Sequence, residues 1–328
     1  MATATSAFQS QLMARRTRLE AAAGSVSDEY LNDLLSEVDA ALQRIELGSY
    51  GMCETCHDPI EPDRLEANPL CRFCLDHLSK EERSSHQSDL DLANQIQARL
   101  LPQKEVVLDG WHAHYRYEPL GAVGGDYCEL IRLETPQSLF FAVGDVSGKG
   151  VAASLLMTYL SAIFRSLLST GFSLTDIVSQ ANRLLCEGTS PAHYATLVCG
   201  RATPTGVEVC NAGHCSPLVL REHGVERLPS NGLPLGIFPD CQYTTTHCGL
   251  RPEESLVLYS DGVTEAADSS SEEFGDQRLI NSLRKTCLKG AAAMADGVIE
   301  DLGLFRKGSQ FNDDVTLLVV CRKALMAS

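Results

Sequence analysis

Hydrophobic residues recur at helical spacing through the first fifty positions of the chain. Phe8, Leu12 and Leu19 fall on one helical face, which predicts an amphipathic helix. A second helix is predicted more clearly, because its hydrophobic positions follow the i, i+3, i+4, i+7 pattern and end before Gly48, a typical helix-stopping residue. These positions are Leu31, Leu34, Leu35, Val38, Ala41, Leu42 and Ile45. The two helices are expected to form a hairpin with its turn at residues 24–27.

A third predicted helix is mostly polar. Ser79 and Glu82 form a capping-box pattern at its start, and Pro102 ends it. The apolar positions along it are Leu92, Ile96 and Leu100. This stripe is narrower than the apolar face of a globular core helix, and it favours pairing with the same helix of a second copy. A homodimer formed through the N-terminal and linker helices is therefore expected.

The pattern changes after Pro102 to short β-rich runs separated by Gly, Pro and Asn. Strands are predicted over Trp111–Tyr117, Leu139–Val143, Ala195–Cys199, Leu218–Leu220, Leu256–Tyr259 and Val315–Val320. Helices are predicted over Val151–Leu168, Leu174–Leu185, Asp276–Leu288 and Ala291–Leu304. Because strands and helices do not alternate strictly, the pattern indicates an α+β domain with largely antiparallel sheets flanked by helices.

Length and charge narrow the function classes. The 328 residues are 44% hydrophobic, enough for about two domains. Lys+Arg 27 against Asp+Glu 43 gives a net charge of −16, which disfavours nucleic acid as a partner. We expect no apolar run long enough to span a membrane and no signal peptide at the N-terminus. The expected location is the cytoplasm, with no membrane partner.

Four of the thirteen cysteines form a compact pattern: Cys53-x2-Cys56, then fourteen residues, then Cys71-x2-Cys74. Two such thiolate pairs predict a closed tetrahedral Zn²⁺ site with a structural role, and the remaining cysteines are expected to be reduced. An iron centre is the open alternative, since four thiolates do not choose the metal. His57 and His77 lie beside the predicted ligands; a solvated or supporting role is expected for each, with substitution for a cysteine left open.

The cysteine segment resembles the DksA/TraR-type zinc finger. The resemblance rests on GSYGMCETC from Gly48, Pro59-Ile60, the RLEA run from Arg64 and Pro69, and it covers roughly residues 7 to 80. It implies a helical hairpin before the finger and, in that family, a coiled coil that enters the secondary channel of RNA polymerase. Each arm predicted here is only about 25 to 30 Å long, so polymerase binding is the secondary interpretation.

Acidic residues lie beside glycine-rich turns at four places in the C-terminal part. They are Asp126 in GGDYCEL, Asp145 in GDVSGKG, Asp261 in LYSDGVTEA, and Asp313 with Asp314 in NDDVTLLVV. We interpret each as the end of an apolar run entering a turn. Carboxylates at strand ends can converge and bind hard divalent cations through oxygen. Two such cations can activate water for in-line attack on phosphorus.

Six ordered blocks then resemble bacterial PPM (type 2C) serine/threonine phosphatases. They are GGDYCEL, GDVSGKG, NAGHCSP, LPLGIF, LYSDGVTEA and NDDVTLLVV, and the match spans residues 88 to 328, including the linker LDLANQIQARLLPQ. The most similar group is the stress-response and sporulation regulators that act on anti-sigma-factor antagonists. The resemblance implies an αββα sandwich that holds two Mn²⁺ or Mg²⁺ ions.

The resemblance also implies roles for individual residues. Asp145 would bridge both metals, and the carbonyl of Val146 would help to hold one of them. Asp261 and Asp313 would hold the second ion, and Asp126 would act through water near the first. These four aspartates are the predicted catalytic residues.

Two positions depart from the family pattern. Glu129 stands where these phosphatases usually carry Asp, which leaves a supporting metal role open. Ser147 stands where animal relatives carry a His proton donor, so protonation of the leaving group by water is expected.

Three further residues suggest other chemistry. Lys149 follows glycines as in a phosphate loop, but the spacing is not that of a Walker A motif, and we interpret it as solvated. His214 is interpreted as a turn or packing residue, with a catalytic base as the alternative. Cys128 is the cysteine outside the zinc pattern that we single out for oxidation sensitivity, because it lies near Asp126.

The sequence therefore predicts three parts: a hairpin and zinc finger at residues 1–80, a helical linker at 81–102, and a phosphatase domain at 103–328. The leading hypothesis is a metal-dependent phosphoserine/phosphothreonine protein phosphatase regulated by its N-terminal part. By the resemblance, its substrate would be a phosphorylated STAS-type anti-sigma-factor antagonist. The alternatives are a non-catalytic transcription regulator whose finger contacts RNA polymerase and a phosphatase of small metabolites.

Overall fold

The computed structural model describes residues 2–23, 29–78, 80–108, 110–134, 137–190, 192–230, 232–307 and 312–323. The helices are α1 Ala2–Ala23, α2 Glu29–Glu46, α3 Pro62–Ala67, α4 Lys80–Leu100, α5 Gly150–Leu168, α6 Leu174–Gly188, α7 Asp261–Thr264, α8 Gly275–Thr286 and α9 Ala291–Arg306. The strands are β1 Glu105–Leu108, β2 Trp111–Glu118, β3 Asp126–Glu134, β4 Gln137–Val146, β5 Ala195–Thr203, β6 Gly206–Ala212, β7 Leu218–Arg221, β8 Gly224–Arg227, β9 Thr246–Cys248, β10 Ser255–Tyr259 and β11 Val315–Arg322. Two compact units divide the chain, Met1–Asp89 and Leu90–Ser328.

The first unit contains the predicted helical hairpin. Helices α1 and α2 pack through Leu12, Val38 and Ala41, which are almost fully buried. Arg16 Nε donates a hydrogen bond to Asp39 Oδ1 at 2.6 Å across the pair. The predicted turn at residues 24–27 and the Ser79 cap lie outside the described residues. The short helix α3 follows α2 and carries Leu65 into a small core with the cysteines.

Helix α4 crosses the boundary between the units, and its C-terminal part belongs to the second. There, Leu92 and Ile96 are 57% and 48% exposed, so the predicted apolar stripe faces outward within this unit. The other side of the helix carries Gln97, which is 5% exposed. Helix α4 thus has one buried polar contact and one exposed apolar edge.

The second unit contains two β-sheets whose described ladders are all antiparallel. One sheet has the strand order β1-β2-β11-β10-β7-β8, and the other has the order β3-β4-β5-β6-β9. Each predicted strand lies within an observed one, and the predicted helices correspond to α5, α6, α8 and α9. The expected α+β class with antiparallel sheets is confirmed.

Alternation along the central strands sorts their side chains between layers. In β4, Phe141 and Val143 pack between the two sheets, whereas Phe140 and Ala142 pack against α5 and α6. Strand β11 divides in the same way between the inter-sheet core and a core shared with α8 and α9. The layers are therefore helix, sheet, sheet and helix, the expected αββα sandwich.

One helix corrects the expectation that no segment is long and apolar enough to cross a membrane. Helix α5 meets that test by length and composition, with a mean hydropathy of 1.6 over its apolar window. Its buried side chains, including Leu160 and Phe164, belong to the helix–sheet core. Core helices of this kind pass the same test, because burial in protein selects the same residues.

Candidate active site and zinc cluster

The predicted catalytic aspartates lie at strand ends. Asp126 begins β3 and Asp145 lies at the end of β4, and the antiparallel register makes them direct partners. Asp261 follows β10, and Asp313 precedes β11, its antiparallel neighbour. The expectation that each aspartate ends an apolar run is therefore wrong for Asp126 and Asp313. Within each sheet the two aspartates lie side by side, because antiparallel neighbours bring the start of one strand beside the end of the next.

Asp126 is the most deeply buried of the four, at 2% exposure. Thr316 Oγ1 on β11 donates a hydrogen bond to its Oδ2 at 2.5 Å, so the carboxyl of one sheet is held by a side chain of the other. Burial, followed by the charge of Asp145, raises the pKa of Asp126 well above its usual range, against hydrogen bonds from Thr316 and Ser260. Positive charge beside Asp126 would lower this pKa again.

The other carboxylates repel one another. Burial and the charges of Asp261, Asp313 and Asp314 raise the pKa of Asp145 to about 7. Burial and Asp313 also raise the pKa of Asp261. An oxygen-only donor set with this much mutual repulsion fits hard divalent cations such as Mn²⁺ or Mg²⁺.

Val146 is the last residue of β4 and is buried, directly after Asp145. Its backbone therefore lies at the same edge of the sheet as the carboxylates. The role predicted for its carbonyl oxygen stays a prediction.

Asp314 has a structural role that the sequence did not separate from that of Asp313. Its Oδ1 accepts a hydrogen bond from Leu120 N at 2.7 Å, and its Oδ2 accepts from Gly125 N at 2.5 Å and from Asp126 N at 3.3 Å. At 6% exposure it orders the loop that leads into β3. The backbone at Gly124 packs so closely against its neighbours that it leaves no room for a side chain. A Cβ on Gly124 would lie 2.2 Å from the hydroxyl oxygen of Tyr117 and 2.6 Å from Asp314 Oδ2.

Glu129 lies away from this cluster. Its side chain is 1% exposed and is paired with Arg165 on α5, with Nε–Oε2 at 2.8 Å and Nη2–Oε1 at 3.1 Å. Arg165 Nη2 also donates to the carbonyl oxygen of Leu100, the last residue of α4. Glu129 thus forms an ion pair, with a buried carboxylate and a partly exposed guanidinium, that connects β3, α5 and the end of α4.

Ser147 and His214 are both engaged in local structure. Ser147 Oγ accepts a hydrogen bond from Tyr194 N at 2.9 Å and lies 3.3 Å from the carbonyl oxygen of Ala192. His214 lies in the turn after β6, where its N–H donates to Asn211 Oδ1 at 2.8 Å. Burial lowers the pKa of His214 to about 4, so the ring is neutral near pH 7. These contacts agree with a turn residue at 214 and give Ser147 a loop-holding role.

Cys128 has the properties of a core residue. It is 2% exposed, and burial raises the pKa of its thiol well above the usual range. Oxidation requires an accessible thiolate. The expected sensitivity of Cys128 therefore has no support in its surroundings.

The first unit brings three of the four predicted zinc ligands together. Sulfur atoms of Cys53, Cys56 and Cys74 and a ring nitrogen of His77 all lie within 4.8 Å of one another. Cys56 Sγ and Cys74 Sγ are 3.8 Å apart, close to the edge of a tetrahedron with Zn–S bonds of about 2.3 Å. The donor set fits Zn²⁺. Cys71 Sγ lies 3.7 Å from the carbonyl oxygen of Arg64 instead, so its role as a ligand stays a prediction.

Two families match the chain. The family described as Stage II sporulation protein E (SpoIIE) matches residues 135–323, more than half of the chain. The prokaryotic DksA/TraR C4-type zinc finger matches residues 48–83.

Three curated relatives illustrate these matches. Protein IcfG of Synechocystis is 28% identical over 71% of this chain and 41% of its own length. The phosphoserine phosphatase RsbU of Bacillus subtilis is 27% identical over 72% of this chain and 70% of its own length. In the first unit, the RNA polymerase-binding transcription factor DksA of Caulobacter vibrioides is 44% identical over 15% of this chain and 35% of its own length. The chain thus spans less than half of IcfG.

Solved structures show the same fold at low identity. The SiaA-PP2C domain of Pseudomonas aeruginosa superposes with a TM-score of 0.66 at 20% identity, covering 75% of this chain and all of that domain. The catalytic domain of the serine/threonine protein phosphatase PstP, in complex with two manganese ions, has a TM-score of 0.51 at 15% identity and covers 65% of this chain and 99% of that one. Both comparisons confirm the αββα sandwich.

Proposed function

We propose, from the premise that this chain belongs to the SpoIIE family of PP2C-type phosphatases, that it is a Mn²⁺- or Mg²⁺-dependent phosphoserine/phosphothreonine protein phosphatase. The observation that carries the proposal is that Asp126 pairs with Asp145 across β3 and β4, while the charges of Asp261 and Asp313 on the other sheet act on Asp145. Carboxylates that repel one another cost stability unless cations join them. RsbU, which is 27% identical over 72% of this chain, is named a phosphoserine phosphatase.

The mechanism assigns a task to each part of the cluster. Bound divalent cations supply the activation of water and the neutralisation of phosphate charge that in-line hydrolysis needs. Asp145, Asp261 and Asp313, with the carbonyl of Val146, are the residues that would hold them. Asp126, held by the hydrogen bond from Thr316, would orient water near a bound cation. The hydroxyl of Ser147 is engaged by the backbone N–H of Tyr194, so the leaving serine oxygen takes its proton from water.

The proposed substrate is a phosphorylated anti-sigma-factor antagonist of STAS type in a partner-switching pathway. The support is family membership and the RsbU relative, which spans 72% of this chain. The proposed site of action is the cytoplasm, with neither nucleic acid nor membrane as a partner. The net charge of −16 supports the absence of a nucleic-acid partner.

Regulation by the first unit is proposed to pass through α4. Gln97 Nε2 donates to the carbonyl oxygen of Gly124 at 2.6 Å, and Gly124 N donates to Gln97 Oε1 at 3.0 Å. Gly124 lies two residues before Asp126, in the loop that Asp314 orders. A displacement of α4 would therefore reach a catalytic carboxylate. The exposed edge at Leu92 and Ile96 is proposed to pair with a second copy of the chain, while zinc holds the finger.

The first prediction tests the reaction itself. We expect the purified chain to hydrolyse a phosphoserine peptide with Mn²⁺ and not with chelator. Asp261→Asn is expected to lower the rate at least about a hundredfold, because it removes a metal-holding carboxylate. The measurement is phosphate release. Full activity in chelator, or an Asp261 variant as active as the unsubstituted chain, would contradict the proposal.

The second prediction tests regulation. A chain that begins at Leu90 is expected to differ from the full chain at least about threefold in its Mn²⁺-dependent rate, or to lose the dimer. Gln97→Leu in the full chain should also change the rate and should cost about 2 kcal/mol of stability, because it leaves two buried polar groups of Gly124 without partners. Gln103→Leu, at an exposed neighbouring position, is the matched control. If truncation changes neither the Mn²⁺-dependent rate nor the mass of the protein in solution, the proposed regulatory role is wrong.

A further inference from the structure

Lys149 is a positive charge placed among the active-site carboxylates. Its Nζ donates to Asp313 Oδ2 at 3.0 Å and to the carbonyl oxygen of Asn312 at 3.2 Å. Its charge also acts on Asp145, Asp261 and Asp314. Lys149 is solvated, as the sequence suggested, and its ammonium group is also paired with Asp313.

The backbone aims this side chain at the site. Lys149 is the N-cap residue of α5 and has an extended conformation. It lies between Gly148 and Gly150, whose φ angles of +100° and +69° fall in the region that side chains disfavour. The two glycines let the chain reverse closely around the end of β4, so the ammonium group reaches the start of β11.

The contact with Asp313 is easily broken. The side chains of Lys149 and Asp313 are 59% and 50% exposed, and ion pairs this exposed are weak. A divalent cation held by Asp313 would displace the ammonium group of Lys149 from this carboxylate. Lys149 is then a flexible cation at the mouth of the site, directly before the N-terminal turn of α5, where a phosphoryl dianion is stabilised by N–H groups and by charge-assisted hydrogen bonds.

We propose that Lys149 is the phosphate-binding side chain of this site, and that it occupies Asp313 until a divalent cation displaces it. The proposal rests on the phosphatase function proposed above and adds a substrate-contacting residue to it. It makes Lys149 a competitor of the metal and a partner of the substrate phosphate. Removing its charge must therefore change the two affinities in opposite directions.

The test compares Lys149→Met, Lys149→Arg and the control Lys289→Met, which removes an exposed positive charge elsewhere in the same unit. Mn²⁺ binding is measured by electron paramagnetic resonance, inorganic phosphate binding to the Mn²⁺-loaded protein by calorimetry, and kcat and KM with the phosphoserine peptide. Lys149→Met is expected to bind Mn²⁺ up to about fivefold more tightly. Its affinity for phosphate is expected to be at least about tenfold lower, and its KM for the phosphoserine peptide at least about tenfold higher. Lys149→Arg should stay near the unsubstituted chain in each measurement.

Each outcome decides a part of the proposal. Equal or weaker Mn²⁺ binding by Lys149→Met overturns the exchange at Asp313, and unchanged phosphate affinity overturns the substrate contact. An arginine variant as impaired as the methionine variant shows that charge is not the cause and overturns both. If the unsubstituted chain binds Mn²⁺ but hydrolyses no phosphopeptide, the proposed function fails, while the two binding measurements still decide the role of Lys149.

Discussion

Asp145→Asn is expected to abolish Mn²⁺-dependent turnover and, without metal, to make the protein more stable. The resemblance assigns Asp145 the bridging position, so its loss should lower the rate by about three orders of magnitude. The stability gain has a separate cause. The folded-state pKa of Asp145, about 7, lies above its ordinary value because of burial and neighbouring carboxylates.

The sign of the pH dependence follows from that shift. Below about pH 4 the carboxyl is protonated both in the folded and in the unfolded chain, and it does not lower the free energy of unfolding. Between about pH 4 and pH 7 the folded state keeps the proton that the unfolded chain has lost, so the free energy of unfolding falls as pH rises. Above pH 7 the cost is complete, at most about 4 kcal/mol. Metal-free Asp145→Asn should therefore exceed the unsubstituted protein in stability at pH 8 and match it at pH 4.

Urea unfolding followed by fluorescence measures this directly, because the single tryptophan, Trp111, is 1% exposed in the second unit. Adding Mn²⁺ should stabilise the unsubstituted protein and not the variant. Asp240→Asn, at an exposed position, is the control for loss of a charge. A variant less stable than its parent at pH 8 without metal would show that the repulsion inferred here is not present.

Arg165→Met is expected to lower the free energy of unfolding by about 2 to 3 kcal/mol, because the buried carboxylate of Glu129 loses its ion-pair partner and keeps the long contact from Ser161 Oγ at 3.5 Å. It also removes the donor to the carbonyl oxygen of Leu100. The double variant Glu129→Leu with Arg165→Met should recover much of the loss, since two apolar side chains carry no uncompensated charge. The double variant separates the free-energy cost of the unpaired charge from the free-energy cost of lost packing.

The measurement is again urea unfolding followed by Trp111 fluorescence. Arg183→Met, at an exposed position on α6, is the matched control and should change stability by less than about 0.5 kcal/mol. A loss below about 1 kcal/mol for Arg165→Met would mean that Glu129 is solvated in solution. A double variant no more stable than Arg165→Met alone would assign the loss to packing.

Short β-rich runs bounded by turn residues were sufficient to predict the central strands. β4 and β11 are long apolar runs buried on both faces, and the order of the motifs identified the fold around them. The position of Asp126 was misread because the apolar run that matters follows it: the Gly-Gly before it is a loop, and Asp126 begins β3. The local sequence pattern predicts where strands lie, but it does not predict at which end of a strand a neighbouring polar residue is found.

Contacts between distant residues were beyond the sequence. Glu129 and Arg165 are 36 positions apart, and no periodic pattern connects a strand residue with one on a later helix. Asp313 and Asp314 are adjacent, and only the structure shows that Asp314 points to the loop at Leu120. His77 was noted as a neighbour of Cys74, but its ring nitrogen lies 3.2 Å from that sulfur, nearer than the sequence argument assumed.

The four aspartates are divided between the two sheets: Asp126 and Asp145 belong to one, and Asp261 and Asp313 flank strands of the other. The spacing of the carboxylate oxygens proposed to hold the metals therefore depends on how the sheets are stacked, and on the side chains between them, such as Phe141 and Leu318. The geometry of the site therefore depends on the packing of the core beneath it. If the proposed metal site is correct, substitutions deep in the inter-sheet layer are expected to change metal affinity without altering a ligand, and a cation bound to both sheets is expected to stabilise their packing.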